Sequence, residues 1–196
     1  MLVQLIHADN DSGRPGTRMG QGPGRILGSG LPDLLRQDGH QVEMVRVEDR
    51  SGFPTEIASA FATADALATQ VRMATRQRRF PVVLAGNCFS AVGVLSGLPG
   101  RRGVVWLDAH GDLHTPETTR SGFLDGMALA TAAGLCWETR AAAIPGFRPL
   151  IPENVLLVGV RELEAEESAV STRLGIACVA AAEANDPDRF ATRIRG

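Results

Sequence analysis

Short apolar runs of strand type alternate with longer stretches of helical periodicity along this 196-residue chain. The strand candidates are Leu2 to Ile6, Val42 to Val47, Val82 to Leu84, Val104 to Leu107, Val155 to Val158 and Ile176 to Val179. Helix signals fall between them, at Gly24 to Gln37, Thr55 to Arg76, Ala91 to Leu98, Leu124 to Gly134 and Glu164 to Leu174. In the longest, Ile57, Phe61, Ala64, Ala68, Val71 and Ala74 recur every three or four residues, which places them on one helix face. Alternating β and α elements joined by right-handed crossovers bury a mostly parallel sheet between helices. The expectation is an α/β fold, a three-layer αβα sandwich. No repeat, low-complexity tract or linker interrupts the pattern, so residues 1–196 read as a single domain.

Composition excludes several function classes. A net charge of −2 gives no electrostatic reason to bind nucleic acid or an anionic membrane surface. The apolar start Met1-Leu-Val-Gln-Leu-Ile6 is too short for a signal peptide or a membrane span and reads as a buried strand. Cys88, Cys136 and Cys178 are widely spaced, with no C-x-x-C. That argues against a disulfide framework and makes the cytoplasm the expected compartment.

The run Gly103-Val-Val-Trp-Leu-Asp108-Ala-His110-Gly-Asp112 points to chemistry. An apolar strand ends in three metal-ligand side chains at alternate positions, which an extended backbone puts on one side. The carboxyl end of a buried strand is where open α/β sheets build ligand sites. Carboxylate oxygens with one imidazole suit a divalent ion such as manganese. The competing reading is a strand end whose aspartates cap the next helix and whose histidine is satisfied by hydrogen bonds.

A second glycine-rich stretch, Gly20-Gln-Gly22-Pro-Gly24-Arg-Ile-Leu-Gly28, mimics a dinucleotide loop. Its spacing departs from G-x-G-x-x-G, a proline sits in the turn, and it lies well past the first strand, so helix entry is the better reading. No phosphate loop and no G-x-S-x-G elbow occurs in the chain.

Asp108 to Gly126 reads D-A-H-G-D-L-H-T-P-E-T-T-R-S-G-F-L-D-G. It resembles, ungapped, the block D-A-H-x-D-x-N-T-P-x-T-T-x-S-G-x-x-H-G of the arginase, or ureohydrolase, family. Ala85-Gly86-Asn87-Cys88-Phe89-Ser90 sits where that family has G-G-D-H-S. Asn154 to Glu167 resembles the family's strand followed by G-x-R-x-x-D-x-x-E, and Arg18 to Pro23 resembles the opening of its first helix. The resemblance implies an arginase-like fold and two manganese ions that activate a water against a linear amidine or guanidino carbon. It also implies a small guanidino or amidino substrate and a homo-oligomer.

Carried over residue by residue, the resemblance makes Asp108, His110 and Asp112 metal ligands. Thr119 and Ser121 fall on substrate-contacting loop positions, and Glu164 and Glu167, with Glu162 close by, on positions that hold the substrate's amino-acid end. The departures are as informative. Cys88 replaces a ligating histidine and is either a softer ligand or a small buried residue at a turn. His114 replaces a substrate-side asparagine and reads as ligand, substrate contact or loop residue. Asp125 replaces a proton-shuttling histidine, a task that a carboxylate of raised pKa can also perform. The family's later block S-x-D-x-D-x-x-D-P has no counterpart, so the chain is expected to be short at its C-terminal side. The leading expectation is a metal-dependent hydrolase of this family. A catalytically silent ligand-binding relative and a metal-dependent deacylase on an arginase-like sheet are the alternatives.

Overall fold

The computed structural model describes residues 1–11, 14–48 and 55–195. In chain order the elements begin with β1 (Leu2–Ala8), β2 (Asn10–Asp11), β3 (Arg14–Pro15), α1 (Gly22–Gly28), α2 (Leu31–Gln37), β4 (Gln41–Arg46) and α3 (Glu56–Arg76). Then come β5 (Phe80–Ala85), α4 (Ser90–Gly97), β6 (Val104–Leu107), α5 (Ala128–Ala132) and α6 (Glu138–Ala142). The chain continues through β7 (Val155–Val160), α7 (Ala165–Leu174), β8 (Ala177–Ala180), α8 (Ala181–Ala184) and α9 (Pro187–Arg195). These elements form two compact units, one of Met1–Gly100 with Glu138–Arg148, the other of Arg101–Trp137 with the chain from Pro149 onward.

The first unit holds a parallel three-stranded sheet in the order β4-β1-β5. β1 is its central strand, and its apolar side chains Val3, Leu5 and Ile6 are buried, as a strand paired on both edges and covered on both faces requires. Helix α3 supplies much of the cover. Thr55 caps it, its hydroxyl oxygen accepting the Ala58 N–H at 3.2 Å. Of the expected stripe, Phe61, Ala64, Ala68, Val71 and Ala74 are buried and Ile57 is partly so, and Leu67 joins the buried face. Leu67 and Val71 pack with Ile6, Ala8 and Val47 into one apolar cluster. Phe61 also meets Phe89 edge to face at 5.0 Å between ring centroids. α4 lies against α3 closely enough that a Cβ on Gly93 would stand 2.2 Å from the Ala64 carbonyl oxygen. Only glycine permits that spacing.

The second unit repeats the parallel plan in the order β6-β7-β8. β7 is central and reads Val155-Leu-Leu-Val-Gly-Val160, with Val155, Leu157, Val158 and Val160 buried. A continuous apolar run marks a strand covered on both faces. Trp106, Leu113, Leu124, Met127, Leu129, Ile176 and Val179 are among this unit's other buried apolar residues.

Two helix expectations are corrected. The stretch Gly24 to Gln37 is two helices, because Gly30 takes φ 97° and Pro32 starts the second at its first turn. The stretch Leu124 to Gly134 opens as a 3-10 turn over Leu124–Met127 before α5 begins. All six strand candidates are observed, with boundaries shifted by no more than two residues.

Candidate metal centre

β6 delivers the candidate ligands of the second unit. Its register with β7 runs from Val104 opposite Val155 to Leu107 opposite Val158, and the Asp108 N–H continues the ladder to the Val158 carbonyl at 3.0 Å. The backbone then leaves the sheet. Asp108 Oδ1 accepts the His110 N–H at 3.0 Å, a local turn that an Asp at a strand end readily forms. Gly111 follows at a point where a Cβ would lie 2.6 Å from a Leu163 methyl and 2.9 Å from Glu167 Oε1. Asp112 adopts the left-handed φ of 51°. The three candidate ligands therefore do not share the single direction that an extended strand implies.

Asp108 and Asp112 do converge, each offering a carboxylate oxygen within 4.8 Å of the other's. Asp108 is partly buried and Asp112 buried. His110 is turned outward, its side chain 74% exposed and its Nδ1 3.2 Å from Asp108 Oδ1. In this conformation the imidazole is held by the same carboxylate that the sequence pairs with it as a fellow ligand.

Asp112 is the electrostatic centre of the site. Its Oδ2 accepts the Trp106 indole N–H at 3.2 Å. Burial, and then the neighbouring Asp108 carboxylate, push its pKa up to about 7, with smaller contributions from Asp125 and Glu167 and an opposing one from the indole hydrogen bond. Asp125, on the 3-10 turn, and Glu167, in the first turn of α7, are themselves buried. Acidic groups gathered at low exposure disfavour the full negative charge unless a cation joins them. This donor set is all oxygen, which fits a hard divalent cation.

Glu167 has a second task. Its Oε1 accepts the Leu113 N–H at 3.1 Å and its Oε2 accepts the Glu164 N–H at 3.1 Å. The second bond belongs to a capping box at the start of α7, and the first ties that helix to the residue after Asp112. The carboxylate that the family resemblance assigns to substrate is thus held on both oxygens by backbone donors. His114 is nearly buried, with Nδ1 3.2 Å from the Thr118 hydroxyl and Nε2 3.7 Å from Glu164 and 3.8 Å from Glu167. Its surroundings rule out the reading as a free surface-loop residue. Thr119 and Ser121 shape the loop, their hydroxyl oxygens accepting the Gly122 and Phe123 N–H groups at 3.1 Å each.

Cys88 stands in the first unit, in the turn between β5 and α4, where its carbonyl accepts the Ala91 N–H at 3.0 Å. It is exposed, which excludes the reading of a small buried residue. The sequence reading missed Trp106 as the anchor of Asp112. A clue was present, because a tryptophan in a buried strand needs an acceptor for its N–H.

The fold and site define a parallel α/β protein with carboxylates converging at a strand end, and comparison with known proteins narrows the class. The arginase family's sequence model matches residues 3–195, and the chain belongs to the arginase family. It is 32% identical to an arginase of Bacillus subtilis over 181 residues, 84% of this chain and 59% of that protein. It is 31% identical to an arginase of Bacillus caldovelox over 188 residues, 89% of this chain and 62% of that protein. A crystal structure of Bacillus subtilis arginase superposes with a TM-score of 0.82 at 31% identity, covering 91% of this chain and 63% of that one. The expected arginase-like α/β fold with mostly parallel sheet is therefore borne out. An agmatine ureohydrolase of Thermoplasma volcanium shares the fold, with a TM-score of 0.65 at 18% identity. The chain spans about 60% of the length of the curated arginases named here.

Proposed function

We propose that this chain is a metal-dependent hydrolase of the arginase family that cleaves a linear amidine or guanidino C–N bond with manganese. The observation that carries the reading is the convergence of the Asp108 and Asp112 carboxylates, with Asp125 and Glu167 near enough to add to the shift that pushes Asp112 up to about 7. Asp108 and Asp112 would hold the ion. His110 would join after rotating inward from its exposed position. Cys88 is proposed as a further ligand on the family resemblance alone. A divalent ion so held supplies Lewis acidity, lowering the pKa of water and stabilising charge that develops on the substrate.

The protein's own groups do the rest. Asp125, buried beside Asp112, is placed to take and return a proton. Thr119 and Ser121 are proposed to position the substrate, together with Glu164, whose carboxylate is half-exposed. His114 is proposed as a neighbouring contact that sets substrate choice, and Glu167 keeps the Asp112 loop in place. A cytoplasmic location and a homo-oligomeric assembly are part of this proposal and rest on the family resemblance and the cysteine pattern. Among the described residues no helix is long and apolar enough to cross a membrane.

Elemental analysis and manganese titration of the purified chain test the reading, beside Asp108→Ala. We expect saturable binding in the parent and its loss in the variant, with far-ultraviolet dichroism unchanged. Equal metal content in both would sink the site. Assays with arginine, agmatine and guanidinobutyrate should then release urea, whereas acetate release from acetylated amines would favour the deacylase. The outward His110 favours a second reading, in which the ion binds without turnover. Manganese bound at stoichiometry with no urea from any substrate would select it.

A further inference from the structure

Arg120 lies between Thr119 and Ser121, the two loop residues proposed to position the substrate, and its guanidinium reaches toward the start of α7. Its Nε stands 3.7 Å from Glu164 Oε2, and its Nη2 stands 3.8 Å from Glu166 Oε1. The same Glu164 oxygen lies 3.7 Å from His114 Nε2, and the Glu164 carboxylate also accepts the Glu167 N–H in the capping box. Glu164 is therefore engaged by three groups of the protein itself. The second oxygen of Glu166 is closed off from solvent. Arg120 is the most open charge of the cluster, 77% exposed against 44% for Glu164 and 39% for Glu166. A guanidinium carries more N–H donors than these two contacts use.

We infer that Arg120 selects the substrate by its far end, binding a carboxylate there, so that the preferred substrate is a guanidino acid and not a guanidino amine. This selectivity rests on the proposed hydrolase reading, which supplies the guanidino end, and adds the chemistry of the opposite one. An incoming ammonium has to displace Arg120 or His114 from Glu164, whereas a carboxylate adds to a guanidinium already held in place. Arginine–carboxylate pairs are charge-assisted and directional. Glu164 and Glu166 act as positioning residues, because they fix a long side chain that otherwise loses its freedom on binding. The amino-acid end that the resemblance assigns to Glu164 thereby passes to Arg120. Thr119 and Ser121 add to the same preference, since each hydroxyl accepts a backbone N–H on its oxygen and keeps its proton to donate. Hydrolysis of a guanidino acid consumes a water, breaks the C–N bond to the carbon chain and releases urea and an amino acid whose amine stands where the guanidino group was.

The test compares two ligands of equal chain length, agmatine, which ends in an ammonium, and the deamino analogue of arginine, which ends in a carboxylate. Calorimetry on the manganese-loaded chain, repeated in EDTA, should show the acid binding about tenfold more tightly, the scale of one charge-assisted hydrogen bond. Arg120→Gln should remove that preference, weakening the acid and, by freeing Glu164, tightening agmatine. Arg120→Lys should keep part of it, since a point charge replaces a planar fork. Arg120 is largely exposed, so the variants should fold, and unchanged far-ultraviolet dichroism and manganese content check this. Equal weakening of both ligands by Arg120→Gln would mark a merely structural role and overturn the inference. Equal binding of the two by the parent, a preference for agmatine, a preference that Arg120→Gln leaves intact, or failure of both to bind would overturn it as well. Urea release separates this selectivity from the hydrolase reading. A preference for the acid with no urea from either compound sinks the hydrolase reading and keeps Arg120 as the carboxylate's partner. Urea from both at equal efficiency, in parent and variant alike, keeps the hydrolase and removes Arg120 from substrate choice.

Discussion

Asp112 shows how much one side chain's surroundings decide. The D-x-H-x-D spacing identifies the carboxylates as candidates, but alternation along a strand is a rule for extended backbone, and the chain bends at Asp108. The outward turn of His110 and the positive φ of Asp112 follow from contacts that spacing does not encode. The pH consequence can be worked out. The native pKa of about 7 lies above the ordinary value of 3.8, so the folded state keeps a proton that the unfolded chain has released. The stability tied to this proton is complete below about pH 4 and is lost as pH rises through 7. Urea unfolding in EDTA should therefore give a lower stability at pH 7.5 than at pH 5, by on the order of a few kcal/mol from this group. Asp112→Asn should flatten that slope, and an equally steep slope in the variant would refute the assignment. Cys88→His is expected to tighten manganese binding, since imidazole suits that ion better than a thiol. Unchanged affinity in titration would remove Cys88 from the ligand set.

Elements with strong periodicity were legible in the sequence, and those set by a single backbone conformation were less so. β6 coincides with the apolar run Val104 to Leu107, and α3 ends at the expected Arg76, with Thr55 as its cap. The break between α1 and α2 was missed because both halves continue one apolar pattern. Pro32 was the available signal. α6, only five residues long, carried no helical periodicity to mark it, and α9 begins at Pro187. There Asp186 Oδ1 accepts the Asp188 and Arg189 N–H groups at 3.1 Å each and caps the helix. Two substitutions test the element packing. Thr55→Ala should cost about 1 kcal/mol through loss of the α3 cap. Gly93→Ala should cost more, on the order of 2–3 kcal/mol, because α4 must move away from the Ala64 carbonyl. Chemical denaturation of both variants measures the difference, and equal losses would contradict the close helix approach.

For the whole molecule, family membership was readable from short motifs, whereas the electrostatic cost of the acidic centre required coordinates. The acidic neighbours that raise the Asp112 pKa would be compensated by a bound cation, and a ligand that binds only the folded state raises its stability by mass action. Manganese at a hundredfold excess over its dissociation constant should stabilise the chain by about 2.7 kcal/mol, and EDTA should reverse the gain. Calorimetric melting checks this prediction, and an unchanged midpoint would argue against a metal at Asp108 and Asp112. Glu167 has a wider reach than its size suggests. By holding the Leu113 N–H from 54 positions away, it closes a long circuit of chain with one side chain. A neutral replacement at that one glutamate should open the circuit and scatter the acidic centre without altering any of the proposed metal-binding atoms.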